Sequence, residues 1–423
     1  MKNILFLIIS LFFCLLVQAN DSIPRVEDYL SGSGDDLEIA LPESFDTNMD
    51  SLLQDWHVKT FIPIDRNCKF DSLNPYVSDS LMMKRLADMP TIIQMPYNRI
   101  IRQFIDKYEE TRRKQVAVML GIGDYYFPMF EQMLEKYQMP NELKYLSVVE
   151  SALNPNATSR VGATGLWQFM FGTGKSYGLE INSLLDERRD PQKSTEAAVR
   201  YLRDLYGIFG DWHLAIAAYN CGPGNVNKAI RRAGGKKDYW DIYYYLPRET
   251  RGYVPLFIAA NYVMTYYKEH RICPVRTEYP LHTDTLMLSN KIHFDQISGV
   301  IGVSKPDLLK LNPQYRREII PGTPEKPQSL CLPANYTLAF IDFQDSIPNY
   351  RSVDLLNTLL TVEPTGPEKA PEVKVNFKIH RVRKGDTLSG IASKYHTTTS
   401  AIKRRNGLHS TRINPGMRLK IYR

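Results

Sequence analysis

The stretch Tyr145-Leu-Ser-Val-Val-Glu150-Ser151, followed by Gly162-Ala-Thr-Gly165-Leu-Trp-Gln168-Phe-Met170, sets one carboxyl group beside a loop rich in glycine and aromatic residues. Leu143, Leu146 and Val149 recur at helical intervals, and Glu150 borders the apolar face they make. A helix that starts at Pro140-Asn141-Glu142 and is closed by Asn154-Pro155 leaves Glu150 near its C-terminal end. An apolar face and the negative end of a helix dipole both disfavour the ionised form. The Glu150 pKa is therefore expected to rise, keeping the group protonated near neutral pH as a proton donor. The same spacing also describes a boundary glutamate whose head reaches water.

Further blocks decide between these readings. Ala218-Tyr219-Asn220-Cys221-Gly222-Pro223-Gly224 and Glu249-Thr250-Arg251-Gly252-Tyr253-Val254-Pro255 follow in order. With them, residues 96–272 resemble the catalytic domain of the soluble and membrane-bound lytic murein transglycosylases, a goose-lysozyme-like family, and most of all its D-type members. The fold this implies is mainly α, a lysozyme-like (goose-type) transglycosylase domain with a small β component. The activity it implies is that of a lyase on peptidoglycan. One glutamate, matched here by Glu150, protonates the glycosidic oxygen between N-acetylmuramic acid and N-acetylglucosamine. It then takes the proton from the muramic C6 hydroxyl as that oxygen closes on C1, leaving a 1,6-anhydromuramyl end. Most glycosidases use two carboxylates. The acidic neighbours in sequence are Glu142 and the charged run Asp186-Glu187-Arg188-Arg189-Asp190. A hydrolytic muramidase, with its base among Glu142, Asp186 and Glu187, therefore stays open, as does a wall-binding scaffold that has lost catalysis.

The resemblance also assigns substrate contacts. Ser151 matches a serine that orients the acid or a water, though a serine at a helix end also caps backbone groups. Gln168 matches a glutamine lining the cleft. Met170 and Trp167 offer surfaces for sugar faces or belong to the core. Asn220 would bond an acetamido group, Tyr219 would sit against Glu150, and Tyr253 is a second tyrosine of the cleft. Glu249 and Arg251 read as a surface ion pair. The rings of Tyr239-Trp-Asp-Ile-Tyr-Tyr-Tyr245 either flank the cleft or pack a helical hairpin.

A second module closes the chain. Gly385-Asp386-Thr387, Ile391-Ala392, Ile402, Asn406 and Asn414-Pro415-Gly416 with Leu419 and Ile421 resemble a LysM domain over residues 378–423, which implies a βααβ fold that binds glycans containing N-acetylglucosamine. Ile297, Leu308, Asn312, Pro321 and Gly322 repeat the intervals of Ile391, Ile402, Asn406, Pro415 and Gly416, giving a divergent LysM-like repeat over residues 279–339. It carries Thr283-Asp284-Thr285 in place of the Gly-Asp-Thr turn, so a packing or spacer role is expected of it. Between the copies, residues 346–377 read as a linker, extended around Glu363-Pro-Thr-Gly-Pro.

Composition agrees with a modular exported protein. A chain of 423 residues is long enough for several cores. Residues 1–19 carry Met1-Lys2, an apolar run to Val17 and Ala19, the pattern of a signal peptide, with residues 20–95 as an N-terminal extension. Phe12-Phe13 before Cys14 make a poor lipidation site. No later segment approaches the roughly 20 apolar residues of a membrane span. The expected location is the bacterial cell envelope, in the periplasm. Residues 378–423 hold 12 Lys or Arg against Asp386 alone, about +11, so the rest of a chain with net charge +7 sums to −4. That basic module suits the carboxylates of peptidoglycan stems, and with export and no binding motif nucleic acid is excluded as a partner. The histidines show no ligand spacing, so neither a metal nor another cofactor is expected. Cys221 reads as a free packing residue, and Cys273–Cys331 is the candidate bridge.

Overall fold

The computed structural model describes Cys68, residues 73–356 other than 278 and 281, and residues 377–422 other than 384, 396, 407 and 409. The signal peptide, Cys14 and the central part of the linker lie outside these residues. The chain divides into two compact units between Val362 and Glu363.

In the first unit, α1 (Asp79–Ala87), α2 (Arg99–Asp106), α3 (Arg113–Lys136), α4 (Leu146–Ser151), α5 (Phe171–Ser176), α6 (Pro191–Phe209), α7 (Trp212–Cys221), α8 (Pro223–Arg232), α9 (Tyr239–Ile242), α10 (Arg248–Arg251) and α11 (Tyr253–Thr265) follow one another. Side-chain caps set several starts. Ser78 accepts from the Leu81 amide, Asn98 from Ile101, Asp190 from Gln192 and Lys193, and Asp211 from Leu214. The axis of the unit is α11. Every residue from Tyr253 to Met264 is buried, as a helix apolar on all sides requires. The core does not begin at residue 96, because Val77, Met82, Leu86, Met89 and Ile93 pack into it from the preceding segment.

That segment is pinned to the far end of α11. Glu109, on the π-helical turn Lys107–Thr111, lies 2.9 Å from Nε2 of the fully buried His270, whose Nδ1 meets Asn74 at 2.9 Å. Arg113 donates to the His270 carbonyl at 2.7 Å. Beside this network Cys68 is disulfide-bonded to Cys273. The expected Cys273–Cys331 bridge is thus wrong: Cys331 is a free thiol in the LysM-like repeat, packed against the core, and Cys221 is also free.

The LysM-like repeat belongs to the same unit. Strand β1 (Thr283–Leu288) pairs antiparallel with β4 (Gln328–Pro333), and β2 (Lys291–His293) with β3 (Ile319–Pro321), around α12 (Phe294–Ile301) and α13 (Lys305–Leu311). In the second unit β5 (Phe377–Arg381) pairs antiparallel with β6 (Arg418–Tyr422) around α16 (Leu388–Lys394) and α17 (Thr399–Asn406), once α14 (Thr337–Asp342) and α15 (Ser352–Leu356) have closed the first unit. Both copies are locked the same way. Asn312 donates to the carbonyls of Leu308 and Cys331 and accepts from the Cys331 amide; Asn406 does so with Ile402 and Lys420. Ile297 and Ile391, like Asn312 and Asn406, stand 94 residues apart. At that offset the counterpart of Gly385-Asp386-Thr387 is Lys291-Ile292-His293, not Thr283-Asp284-Thr285, which lies in β1. His293 caps α12 as Thr387 caps α16, and the buried Ile292 replaces Asp386, which meets His380 at 2.9 Å.

The disulfide closes a loop of sequence separation 205, so its loss should release a large amount of chain entropy into the unfolded state. Reduction, or Cys273→Ala, should lower the melting temperature by roughly 5–10 °C. Non-reducing peptide mapping should return a Cys68–Cys273 pair. An unchanged melting temperature would contradict the assignment.

Candidate active site

Glu150 sits in the last turn of α4, a helix of 6 residues that continues a 3-10 turn over Asn141–Tyr145 and is buried throughout. The helix stops before the expected Asn154-Pro155. Ala152 and Leu153 both adopt left-handed backbone, with φ of 50° and 64°. Such conformations cost on the order of 1 kcal/mol or more each and persist where the surroundings enforce them. Here Ala152 and Leu153 donate to the Val148 and Ser147 carbonyls and lie in the core.

The loop from Gly162 to Met170 folds against α4 as a tight hairpin in which Thr164 and Phe169 exchange backbone hydrogen bonds. Gly165 is required twice: its φ is +90°, and a Cβ there would stand 1.8 Å from the Arg188 carbonyl oxygen. Ser151 donates to the carbonyls of Leu166, at 2.9 Å, and Ser147, so it fastens this loop to the helix of Glu150. Tyr219 donates to the Trp167 carbonyl at 2.8 Å. Trp167 itself is core, its indole N–H on Thr195, whereas Met170 is exposed. Gln168 donates to the Gly165 and Ala157 carbonyls, holding its own left-handed turn.

Glu150 is only 8% exposed, and the Tyr253 hydroxyl donates to its Oε1. Burial pushes the carboxyl up to about 7. The Tyr253 hydrogen bond favours the carboxylate and opposes the rise, and the charge of Glu249 adds to it. Burial and the nearby Glu150 carboxylate hold both Tyr219 and Tyr253 far above the ordinary phenol range, so both remain donors. The Thr250 hydroxyl donates to Oδ1 of Asn220 at 2.9 Å, which turns the amide so that its NH2 edge is the one offered to a ligand.

The three other acids considered from sequence have structural work. Glu142 accepts from the Ile93 amide at 2.6 Å, Asp186 pairs with Arg188, and Glu187 accepts from the Glu180 amide and pairs with Lys193. The carboxylate whose field reaches Glu150 is Glu249, exposed on α10. Its i,i+4 spacing from Tyr253 was the available signal. Thr250 and Tyr201, whose ring lies 5.2 Å from that of Tyr219, are further neighbours that motif reading passed over. Arg251 donates to the carbonyls of Tyr244 and Leu246, and Tyr239 donates to the Arg251 carbonyl, so much of the aromatic run braces the start of α11. Away from the cleft His293, Asp295 and Glu318 converge, but Lys305 pairs with both carboxylates and already supplies the positive charge.

An acid must carry its proton in the free enzyme, so Glu150 acting as the acid would make kcat/KM fall as pH rises through about 7. Glu249→Gln removes a charge that favours the protonated form and should move this limb to lower pH. Tyr253→Phe removes a hydrogen bond to the carboxylate and should move it higher. pH–rate profiles of the two variants displaced in the reverse directions would contradict this electrostatic account.

The family model of the transglycosylase SLT domain matches residues 127–242, that of the LysM domain residues 380–421, and that of the LysM-like domain of lytic transglycosylase MltD residues 282–349. Membrane-bound lytic murein transglycosylase D of Escherichia coli (strain K12) is 31% identical over 331 residues, covering 77% of this chain and 70% of that one. The soluble lytic murein transglycosylase of the same organism is 31% identical over 153 residues, 33% of this chain and 24% of that one. The crystal structure of the 70 kDa soluble lytic transglycosylase of Escherichia coli aligns over 36% of this chain and 26% of that one, with 29% identity and a TM-score of 0.30. The matched domains and the extent of likeness to transglycosylase D mean that this chain, with its helical transglycosylase domain, belongs to the membrane-bound lytic murein transglycosylase D family.

Proposed function

We propose that this peptidoglycan lytic transglycosylase works through Glu150 alone, as acid and then as base. The observation that carries this reading is the buried Glu150 carboxyl, pushed up to about 7, whose Oε1 accepts from the Tyr253 hydroxyl. Its proton passes to the glycosidic oxygen between N-acetylmuramic acid and N-acetylglucosamine, and the bond from that oxygen to the muramic C1 breaks. The C6 hydroxyl oxygen of the same muramic residue bonds to C1, and its proton goes to the Glu150 carboxylate, which is restored. No water is consumed, and one fragment ends in 1,6-anhydromuramic acid. The C6 hydroxyl is already part of the bound sugar and needs no separate positioning.

Tyr253 steadies the carboxylate between the two transfers, since a hydrogen bond to the charged form lowers its energy. The NH2 edge of Asn220 suits the carbonyl of an acetamido group, and Met170 offers an exposed apolar surface to a sugar face. A hydrolytic reading has one observation in its favour, the nearby Glu249, which would have to hold a water against C1. The basic residues 378–423 serve as a tether to peptidoglycan, which places the enzyme in the cell envelope after export.

Glu150→Gln keeps the shape of the side chain but neither donates nor retrieves a proton. Turnover of purified murein should fall at least about a hundredfold, with sedimentation of the variant on sacculi unchanged. A folded Glu150→Gln enzyme that retained most of its activity would move the chemistry to another residue.

A further inference from the structure

The segment between Glu180 and Asp190 joins two parts of the first unit that sequence reading kept apart. Asn182 accepts from the amides of Leu184 and Leu185 and bends the chain outward. Leu185 then buries its side chain in the core of the LysM-like repeat, among Phe294, Tyr315 and Leu330. Backbone hydrogen bonds seal the contact. The Asp186 amide donates to the Gln314 carbonyl at 2.8 Å, and the Arg316 amide to the Leu184 carbonyl at 2.9 Å. Lys326 of the repeat pairs with Glu180 at 2.6 Å.

Asp186 is 1% exposed and faces Arg188 side-on, with Nε on one carboxylate oxygen at 2.9 Å and Nη2 on the other at 2.8 Å. The remaining nitrogen, Nη1, donates to the carbonyls of Gly162, at 2.9 Å, and Phe169, at 3.2 Å. These are the two ends of the hairpin that presses on Glu150's helix. Gly165 in its middle lies against the Arg188 carbonyl. A bidentate guanidinium–carboxylate pair is rigid and directional, so a shift at Gln314 passes through Asp186 and Arg188 to the hairpin. From there it reaches Ser151 and Tyr219 by their bonds to Leu166 and Trp167.

We propose that the LysM-like repeat is a brace for the catalytic loop, and that Asp186 and Arg188 are positioning residues through which its docking sets the geometry around Glu150. The buried Ile292, standing where the C-terminal copy has Asp386, fits a module turned to packing. The proposal rests on the assignment of the chemistry to Glu150. It gives Asp186 a task other than that of a second catalytic carboxylate.

The test uses the full-length enzyme and a short soluble glycan of alternating N-acetylglucosamine and N-acetylmuramic acid. Leu185→Asp should undock the repeat and lower kcat about tenfold or more, since displacements of the order of 1 Å near reacting groups are costly, with KM changed less than about threefold. Leu185→Met should restore kcat to within about twofold. Asp186→Asn, which leaves the docking surface in place, should lower kcat likewise. Hydrogen exchange should quicken at the Thr164 and Phe169 amides in both variants, at the repeat only in Leu185→Asp, and at Tyr253–Thr265 in neither. Normal kcat in Leu185→Asp with fast exchange confined to the repeat would overturn the proposal. So would fast exchange throughout the unit in both variants, which would make the contact a general folding determinant. Wild type and Glu150→Gln in the same assay keep the two claims apart, because an inert Glu150→Gln beside an active wild type upholds the assignment of the chemistry whatever Leu185 does.

Discussion

The contact between the Tyr253 hydroxyl and the Glu150 carboxyl sets the terms for everything around it. In the proposed mechanism Glu150 has to hold a proton near neutral pH and then exist as an anion while the bond breaks. Burial meets the first need and a phenol that never ionises at working pH meets the second. Both groups sit at ends of short or central helices. Glu150 is at the end of α4, forced to stop by two left-handed residues, and Tyr253 is at the start of α11, the helix around which the unit is built. The strain at Ala152 and Leu153 is affordable because both are locked into the core.

The same fold occurs twice in the chain with different surfaces. Asn312 and Asn406 make equivalent hydrogen bonds to a strand, so the βααβ frame is held by the same lock in both copies. Around that lock the surfaces differ. The C-terminal copy keeps the polar turn at Asp386 and a strong positive charge. The inner copy has Ile292 at that position and offers its core to Leu185. A shared frame with different side chains fits the proposed division between binding and support within one chain.

Much of the candidate site's arrangement is legible because its members stand in motifs that follow one another in order. Glu150, Tyr219, Asn220 and Tyr253 stand in motifs, and their neighbours in space are neighbours in those motifs. What escaped depends on backbone. Ser151, Gln168 and Nη1 of Arg188 donate to carbonyl oxygens, which no residue pattern announces. Trp167 gave no sign of whether it faced sugar or core, since an aromatic beside glycines suits either. Wide cysteine spacing does not single out the partner of Cys273, and the fold brings Cys68 to it across almost the whole catalytic region. The repeat is legible in its spacing, but its turn is not, because Thr283-Asp284-Thr285 imitates the composition of the other copy's turn at a different register.

The central claim is that Glu150 serves an attack by the substrate's own hydroxyl and not by water. Digestion of purified murein in heavy-oxygen water, followed by mass spectrometry of the new ends, separates the two directly. The account predicts 1,6-anhydromuramic ends, lighter than reducing ends by one water and free of heavy oxygen. Reducing ends carrying the heavy oxygen at C1 would contradict it and make Glu249 the residue to test as the base.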